Sequence, residues 1–280
     1  MGNEQETAVA EESAGPLNSA ACSVVVRRGA QPLPGTREEA RQLLRKLADH
    51  VNSGAVGQAS ALCYEEAFGT RERLHLLLHL ESIASYDAVT QLAEEQIGDG
   101  WNRLFQPGSV QDVVLMPQFW GMYGARADGT KEKQSTVYRG SGSPVALPGA
   151  RHQTDQADDE LLHSANSGVV MHRYGQMVYD LRSEARAFGR EVAESINDKL
   201  PGECSVYVYE EAFGSADRLH WLIHLKDMTT YMRLLALHVR DEEVRDIYFR
   251  QRIAAEKGGG TWARMFVEGS MTDIALVPLR

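Results

Sequence analysis

Cysteine is scarce in this chain of 280 residues, which contains only Cys22, Cys63 and Cys204. No two of them form a CxxC pair, and an odd count argues against a framework of disulfides. The chain also lacks a GxSxG motif and a GxGxxG motif after a strand, so the sequence does not indicate covalent or dinucleotide chemistry. We expect a protein of a reducing, cytoplasmic compartment.

Long apolar runs and an excess of basic residues are missing as well. No stretch of about 18 apolar residues occurs, so no membrane-spanning helix is predicted. The first twenty residues lack the basic start and apolar run of a signal peptide, and we expect residues 1–21 to form a disordered acidic tail. Lys and Arg number 29 against 39 Asp and Glu, and this net charge of −10 disfavours nucleic acid and membrane partners.

What the chain does contain is an internal repeat. The string "YEEAFGTRERLHLLLHL" at residues 64–80 recurs as "YEEAFGSADRLHWLIHL" at 209–225, with twelve of seventeen positions identical at an offset of 145. Near the end of each copy the offset becomes 161, so the second copy carries sixteen extra residues. We expect repeats at 22–118 and 166–280, joined by a linker at 119–165 that is rich in Gly, Ser and charge.

Each copy shows the same order of local signals. In the first copy a β-branched run at Val24–Val26 precedes Thr36, which with Glu39 forms a capping box before an amphipathic helix. Two strand patterns joined by a Gly-containing turn follow, then a helical stretch from about Ser85 and a last strand within "SVQDVVLMP". The order β-α-β-β-α-β is the ferredoxin-like motif, and it predicts an α+β fold.

Two ferredoxin-like units in one chain resemble the dimeric α+β barrel superfamily, in which two antiparallel sheets pack face to face. Within it, "YEEAFG" followed by "RLHWLIHL" is similar to NIPSNAP-like and antibiotic-biosynthesis-monooxygenase-like proteins, over about 24–117 and 168–280. The resemblance implies a tandem fused pseudo-dimer with a cavity between the sheets. The superfamily includes cofactor-free monooxygenases, cyclases, isomerases and haem proteins, so the resemblance leaves the activity open.

The histidines of the repeat fall on one face of a strand. Side chains alternate along a strand, so His75, Leu77 and His79 share one face while the other face carries Leu74, Leu76, Leu78 and Leu80. The all-leucine face is expected under the helices, and the histidines are expected to point into the space between the sheets. His220 and His224 repeat the arrangement in the second copy.

The same alternation places tyrosines and glutamates beside these histidines. A carboxylate next to an imidazole stabilises the imidazolium and fixes the ring tautomer, which suits a histidine base near neutral pH. The candidate catalytic residues are His220, His224, Tyr209, Glu211, His75 and His79. The candidate substrate-binding residues are Tyr207, His172, Tyr174, Tyr64, Glu66, Arg218 and Arg73. The alternative is that Tyr, Glu and His only satisfy one another where the sheets meet.

One arginine lies at the turn end of the third strand of each copy, and its role has two open interpretations. Arg73 and Arg218 either pair with Glu65 and Glu210 or bind a substrate carboxylate at the cavity mouth. The salt-bridge interpretation is the simpler one.

A metal site built from one strand is excluded by distance. Residues i and i+4 on a strand lie about 13 Å apart, so His75 and His79 cannot share a zinc ion, which binds nitrogen at about 2.1 Å. A metal site built across both copies and a haem held by one histidine stay open, and no organic cofactor is expected.

We therefore predict a small-molecule enzyme of the monooxygenase, cyclase or isomerase type, acting on an aromatic or polyketide-like substrate of secondary metabolism by histidine acid–base chemistry. The alternative is a non-catalytic barrel that binds a small hydrophobic ligand or haem. Since the fused copies close their own barrel, either a monomer or a homodimer is compatible with the sequence.

Overall fold

The backbone forms eight strands and six α-helices in residues 16–118 and 148–279, which are the residues that the computed structural model describes. The strands are β1 (Val24–Ala30), β2 (Ala59–Phe68), β3 (Leu74–Leu80), β4 (Gln111–Pro117), β5 (Val169–Gln176), β6 (Cys204–Ala212), β7 (Arg218–Leu225) and β8 (Thr272–Pro278). The helices are α1 (Arg37–Gly54), α2 (Ser85–Ile97), α3 (Gly100–Leu104), α4 (Arg182–Lys199), α5 (Met228–Arg240) and α6 (Glu242–Phe249).

All eight strands join in one closed antiparallel barrel. The strand order is β1-β3-β2-β8-β5-β7-β6-β4, so each half keeps the ferredoxin-like order and the halves meet at two seams. At one seam β2 pairs with β8, and at the other β4 pairs with β6. The predicted α+β fold with two βαββαβ repeats is therefore confirmed. The sheets also bond edge to edge, which leaves no free edge strand in the barrel.

The leucine faces of the strands lie under the helices, as alternation requires. Leu74, Leu76, Leu78 and Leu80 are buried in one apolar cluster with the inner stripe of α1. In the second half the corresponding positions of β7 pack with α4 in a separate cluster. The opposite, inward face of each strand therefore belongs to the barrel interior.

The capping box expected at Thr36 and Glu39 is wrong in its hydrogen bonds. The Thr36 hydroxyl donates to the carbonyl oxygens of Leu33 and Leu104, at 3.0 and 2.9 Å, and makes no cap bond to the helix. The hydroxyl instead ties the start of α1 to the end of α3. The position of the helix start is still as predicted.

The sixteen extra residues of the second half lengthen its helical layer. They contribute α6, whose first turn is capped by the Asp241 carboxylate accepting from the Val244 backbone N–H at 3.0 Å. Glu191 of α4 binds Arg250 and Arg252, which follow α6 in the chain. This layer has no counterpart among the described residues of the first half.

Described parts of the predicted tail and linker are packed against the barrel, which differs from the expectation of little packed structure. The Gln153 amide bonds both Val208 backbone atoms, at 2.7 Å to its N–H and 2.9 Å to its carbonyl oxygen, as a neighbouring strand would. Ser19 and Ser164 are fully or almost fully buried. Residues 1–15 and 119–147 lie outside the described residues, and the repeat boundaries stay a prediction.

The middle of the barrel supplies a test of this packing. Leu77 and Leu222 point inward and are fully buried, so replacing either with Ala should lower the free energy of unfolding by about 2–5 kcal/mol. Val56, on an exposed turn, is the control, and Val56→Ala should change stability by at most about 0.5 kcal/mol. Urea unfolding measures both, and equal small effects at all three positions would contradict the described interior.

Candidate functional site

The barrel interior holds polar side chains at its two ends and an apolar layer between them. Leu77 lies between His75 and His79 on β3, and Leu222 lies between His220 and His224 on β7. The middle layer consists of Val25, Leu77, Leu115, Val170, Leu222 and Leu276, all fully buried. The predicted inward direction of the histidines is therefore correct, but they form two separate groups rather than one site.

One group closes an end of the barrel, and we call Ser19, Ser164, His79 and His224 the seal. The Ser19 hydroxyl lies 2.8 Å from His224 Nε2, and the Ser164 hydroxyl lies 2.8 Å from His79 Nε2. Each serine backbone N–H donates to the hydroxyl of the other serine, at 3.0 Å in both directions. Each half thus bonds the histidine of the other half.

Three of the candidate tyrosines hold the chain segments that carry the seal. Tyr64 donates its hydroxyl to the carbonyl oxygen of Ser164, Tyr209 donates to that of Ser19, and Tyr207 donates to that of Leu162. Burial raises the pKa of all three hydroxyls, so they remain protonated donors.

Sequence reasoning missed the two serines, although a signal was present. "LNSA" at 17–20 and "LHSA" at 162–165 match at the same offset of 145 as the strands. The sequence similarity between the two copies therefore extends to residues 17–20 and 162–165, outside the predicted bounds of the repeats.

The second group lies at the other end of the barrel, and we call Arg27, Glu66, His75, His172, Glu211 and His220 the relay cluster. In the second half His220 Nδ1 lies 2.8 Å from His172 Nε2. Glu211 Oε2 lies 3.3 Å from His220 Nε2, off the line of an ideal hydrogen bond. The carboxylate favours the proton on His220 Nε2, so His220 Nδ1 accepts from His172. Among the described residues His172 Nδ1 is then a buried ring nitrogen without a partner.

The first half has the same order of groups with one exchange. Glu66 Oε2 lies 3.4 Å from His75 Nε2, and His75 Nδ1 lies 3.3 Å from Arg27 Nη1. A guanidinium can only donate, so His75 Nδ1 accepts and His75 Nε2 carries the proton toward Glu66. Arg27 thus stands where the second half has His172, 145 residues later.

Burial sets the charges of the relay cluster. It lowers the pKa of His75 to about 4 and that of His172 well below its ordinary value, and the Arg27 cation adds to both effects. Burial by itself raises the pKa of Glu66 and Glu211, but hydrogen bonds from a histidine and a backbone N–H outweigh it, and both values are lowered. At neutral pH the rings are neutral and the carboxylates are charged.

Aromatic and basic side chains border the relay cluster. Tyr174 stacks on His220 with ring centres 5.4 Å apart, and the Arg218 guanidinium lies over Tyr174 while Nη1 donates to Glu211 Oε2 at 3.1 Å. In the first half Gly29 occupies the position of Tyr174, and the Arg73 guanidinium packs there.

The expected pairs of Arg73 with Glu65 and of Arg218 with Glu210 are wrong. Glu65 binds Arg37 and Arg41 of α1. Glu210 binds Arg186 of α4 at 2.7 Å. Neighbouring strand residues point to opposite faces, so Glu65 and Glu210 face the helices while the two arginines border the barrel interior.

A cavity of about 220 Å³ lies outside the barrel, between the second half of the sheet and its helices; we call it the outer cavity. Three of its walls are the rings of Phe188, Tyr248 and Trp262, packed 5.3 to 5.7 Å apart. His238 also borders it, with Nδ1 2.7 Å from the Leu234 carbonyl oxygen and Nε2 2.9 Å from the Tyr248 hydroxyl. Both ring nitrogens of His238 are therefore engaged.

The described residues contain neither a cluster of metal ligands nor a membrane-spanning helix. Within residues 16–118 and 148–279, His, Cys, Asp and Glu form no group of three or more that could hold a metal ion. No helix in these ranges is both long and apolar enough to cross a membrane.

Replacing the serines of the seal tests its energetics. Ser164→Ala leaves His79 Nε2 and the Ser19 N–H without their partner, so it should lower the free energy of unfolding by about 1–3 kcal/mol, and Ser19→Ala should do the same. The cost of the double variant should differ from the sum, because each serine's backbone N–H donates to the hydroxyl of the other serine and the two sites are in contact. Ser53→Ala, at an exposed position of α1, is the control. Urea unfolding measures the effects, and strictly additive or negligible effects would refute the crossed pairing.

The neutral histidines predict a loss of stability in weak acid. Burial lowers the pKa of His75 to about 4 and of His79 and His224 to about 3, whereas the unfolded chain titrates near 6.5. Their contribution is complete above about pH 6.5 and is lost as the pH falls, by about 1.4 kcal/mol per pH unit for each histidine that only the unfolded chain protonates. Urea unfolding between about pH 7 and pH 5 should show this slope, and a flat profile would contradict neutral burial.

The chain matches the family of unknown function DUF6039 over residues 2–280. No curated protein gives a match. A proposed monooxygenase of Fusobacterium nucleatum subsp. nucleatum is similar in structure, with a TM-score of 0.56, 8% identity and coverage of 93% of this chain and 94% of the other. A second proposed monooxygenase, from Lactobacillus acidophilus, has a TM-score of 0.55, 9% identity and coverage of 92% and 94%.

Chlorite dismutase from Candidatus Nitrospira defluvii is also similar, with a TM-score of 0.44, 11% identity and coverage of 92% of each chain. Identities this low show the fold alone, and the fold shared with the two proposed monooxygenases is an α+β fold. By its sequence, the chain belongs to the family of unknown function DUF6039.

Proposed function

We propose that this protein is a small-molecule enzyme that removes a proton from a hydrophobic, weakly acidic substrate at the relay end of the barrel, where the relay cluster lies. The observation that carries the proposal is His172 Nδ1, a buried ring nitrogen with a lone pair and no partner among the described residues. A buried acceptor without a hydrogen bond lowers the stability of the fold, and a role in proton abstraction accounts for its presence.

The groups behind His172 suit it as a base. When Nδ1 takes a proton, the charge on the ring is shared through the bond from Nε2 to His220, which the Glu211 carboxylate supports. His75 lacks this capacity, because Arg27 and Glu66 engage both of its nitrogens. Among the candidate histidines, His172 is therefore the best placed.

The remaining candidate residues divide between substrate contact and structure. Tyr174 and Arg218 border the relay cluster, and we assign them to substrate contact. Catalytic roles for His79, His224 and Tyr209 stay a prediction. We assign His79 and His224 to the seal, where they bond serines, and Tyr209 to its support, since its hydroxyl donates to the Ser19 carbonyl oxygen.

The carbanion left by proton removal would then react with molecular oxygen as the oxidant, attack another carbon of the same molecule in a cyclisation, or take up a proton at a different carbon in an isomerisation. Support for this class comes from the sequence resemblance to antibiotic-biosynthesis monooxygenases and from the fold shared with two proposed monooxygenases. Proton removal by an imidazole needs no organic cofactor. We also propose that the chain is a tandem fused pair acting as a monomer.

The outer cavity does not suit haem. The histidine that borders the outer cavity, His238, has both ring nitrogens engaged. The cavity volume of about 220 Å³ is also below the range of about 300–1,000 Å³ usual for ligand and cofactor sites. No step of the proposal depends on haem.

The alternative function is non-catalytic binding of a small apolar molecule, and the outer cavity is the observation that favours it. Apolar cavities of about 150 Å³ take up a benzene ring. A cavity of 220 Å³ walled by Phe188, Tyr248 and Trp262 has room for a somewhat larger aromatic molecule.

Replacing His172 separates these functions. Gln at this position keeps an N–H that can donate to His220 Nδ1 but has no basic nitrogen, so His172→Gln should slow proton removal by about 10²–10⁴-fold with little change in stability. The measurement is deuterium exchange at the acidic carbon of a panel of hydrophobic 1,3-dicarbonyls and anthrone-type phenols, followed by NMR.

The control is Val192→Phe, which narrows the outer cavity without touching the barrel interior. Proton removal in the barrel should be unaffected by it. Exchange that survives in His172→Gln would overturn the proposal, and ligand binding lost only in Val192→Phe would support the alternative function.

A further inference from the structure

We infer that Arg27 and Arg73 form a binding site for the oxyanion of an organic weak acid, such as a phenolate or an enolate. The inference deepens the proposed function and rests on it in one respect: the anion is taken to be the conjugate base of the substrate. The binding site itself follows from the geometry of the two arginines.

Arg27 is a buried cation without a carboxylate partner. Its side chain lies inside the barrel with 8% of the residue exposed. Nη1 bonds His75 Nδ1, Nε has no acceptor, and no carboxylate of the described residues lies at ion-pair distance from it. A buried guanidinium normally binds an anion, because the cost of removing it from water is otherwise uncompensated.

Arg73 adds a second guanidinium that also lacks a carboxylate partner among the described residues. Nη2 donates to Gln111 Oε1 at 3.3 Å, while Nε is buried and has no acceptor among the described residues. Gly29 makes room for it, since a Cβ there would lie 3.1 Å from Arg73 Nε and 3.2 Å from His75 Cε1. Both arginines therefore lie against His75, and the charge of Arg73 contributes to lowering the pKa of Arg27, after burial.

The carboxylates nearby are committed to other groups. Glu66 accepts from His75 and from the Thr70 backbone N–H at 2.8 Å. Glu211 accepts from the Ser215 backbone N–H at 2.9 Å and from Arg218 at 3.1 Å. They lower the local positive potential without supplying an acceptor to either free Nε.

The surroundings favour a flat organic anion over a phosphate. The apolar layer lies behind Arg27, and the Tyr174 and His172 rings border the same end of the barrel, 5.4 Å from each other. A singly charged phenolate or enolate matches two N–H donors beside aromatic and apolar surface, whereas a doubly charged, strongly hydrated ion does not. The first half then supplies the cation, Arg27, and the second half supplies the base, His172.

The test is the binding of 4-nitrophenol to the whole chain, since its anion absorbs at longer wavelength than the neutral form. The wild-type protein should bind the anion and favour it over the neutral analogue 4-nitroanisole. Arg27→Met should weaken binding of the anion at least tenfold. Arg28→Met is the matched control, because it removes the same charge from the outer face of the same strand, where Arg28 pairs with Asp112.

Thermal unfolding of the same variants separates binding from structure. Arg27→Met should unfold at the same temperature as the wild type or at a higher one, because it removes an uncompensated buried charge. Unchanged anion binding in Arg27→Met, or a marked drop in its unfolding temperature, would overturn the inference. His172→Gln should still bind the anion, so failure of the proposed base and failure of the anion site are distinguishable.

Discussion

The exclusion of water from the inside of a closed eight-stranded barrel is the constraint on which the rest of the structure depends. An eight-stranded barrel holds its own side chains or one small ligand, so an inward polar group either bonds a neighbour inside the barrel or is left to bind such a ligand. Burial also penalises charge, which keeps His75, His79 and His224 neutral. Neutral imidazoles both donate and accept, and they can therefore link serines, carboxylates and guanidiniums in short chains.

The two ends of the barrel use this chemistry differently. In the seal, equivalent residues of the two repeats make equivalent bonds, since Ser19 binds His224 and Ser164 binds His79. At the relay end the carboxylate and the first histidine are kept, but the third group is Arg27 in one half and His172 in the other. Equivalent bonds from the two halves suffice to close one end of the barrel. At the other end the exchange of His for Arg places a cation and a base side by side. An exchange of this kind is open to a fused chain, because its halves can diverge separately.

Much of the fold and part of the site could be predicted from the sequence, because both depend on simple periodicity. Alternation along β3 and β7 placed the histidines inward, and it placed the alternate apolar residues, such as Leu76 and Ile223, under the helices; both directions are correct. The seal could not be found this way, since Ser19 and Ser164 lie in irregular segments without a period. Gln153 could not be predicted for the same reason, because its side-chain amide bonds the Val208 backbone from a segment without a strand pattern.

The wrong predictions have a common physical cause. Spacing along the chain shows which groups come near each other, but it does not choose among several partners within reach. Glu65 and Glu210 bind arginines of the helices because they face outward. Thr36 likewise donates to the Leu104 carbonyl oxygen rather than capping its own helix. The pairing of Arg27 with His75 depends on the register of β1 and β3, which the sequence leaves open.

The central claim is that the barrel keeps its histidines neutral and leaves the ring nitrogen His172 Nδ1 without a partner among the described residues. Nitrogen-15 NMR of the imidazole side chains near neutral pH tests it most directly, because protonated, hydrogen-bonded and free ring nitrogens have separate chemical shifts. The account predicts neutral rings throughout the interior, with the proton of His172 on Nε2 and the shift of a free acceptor at Nδ1. An imidazolium at His172, or a proton on its Nδ1, would contradict the account.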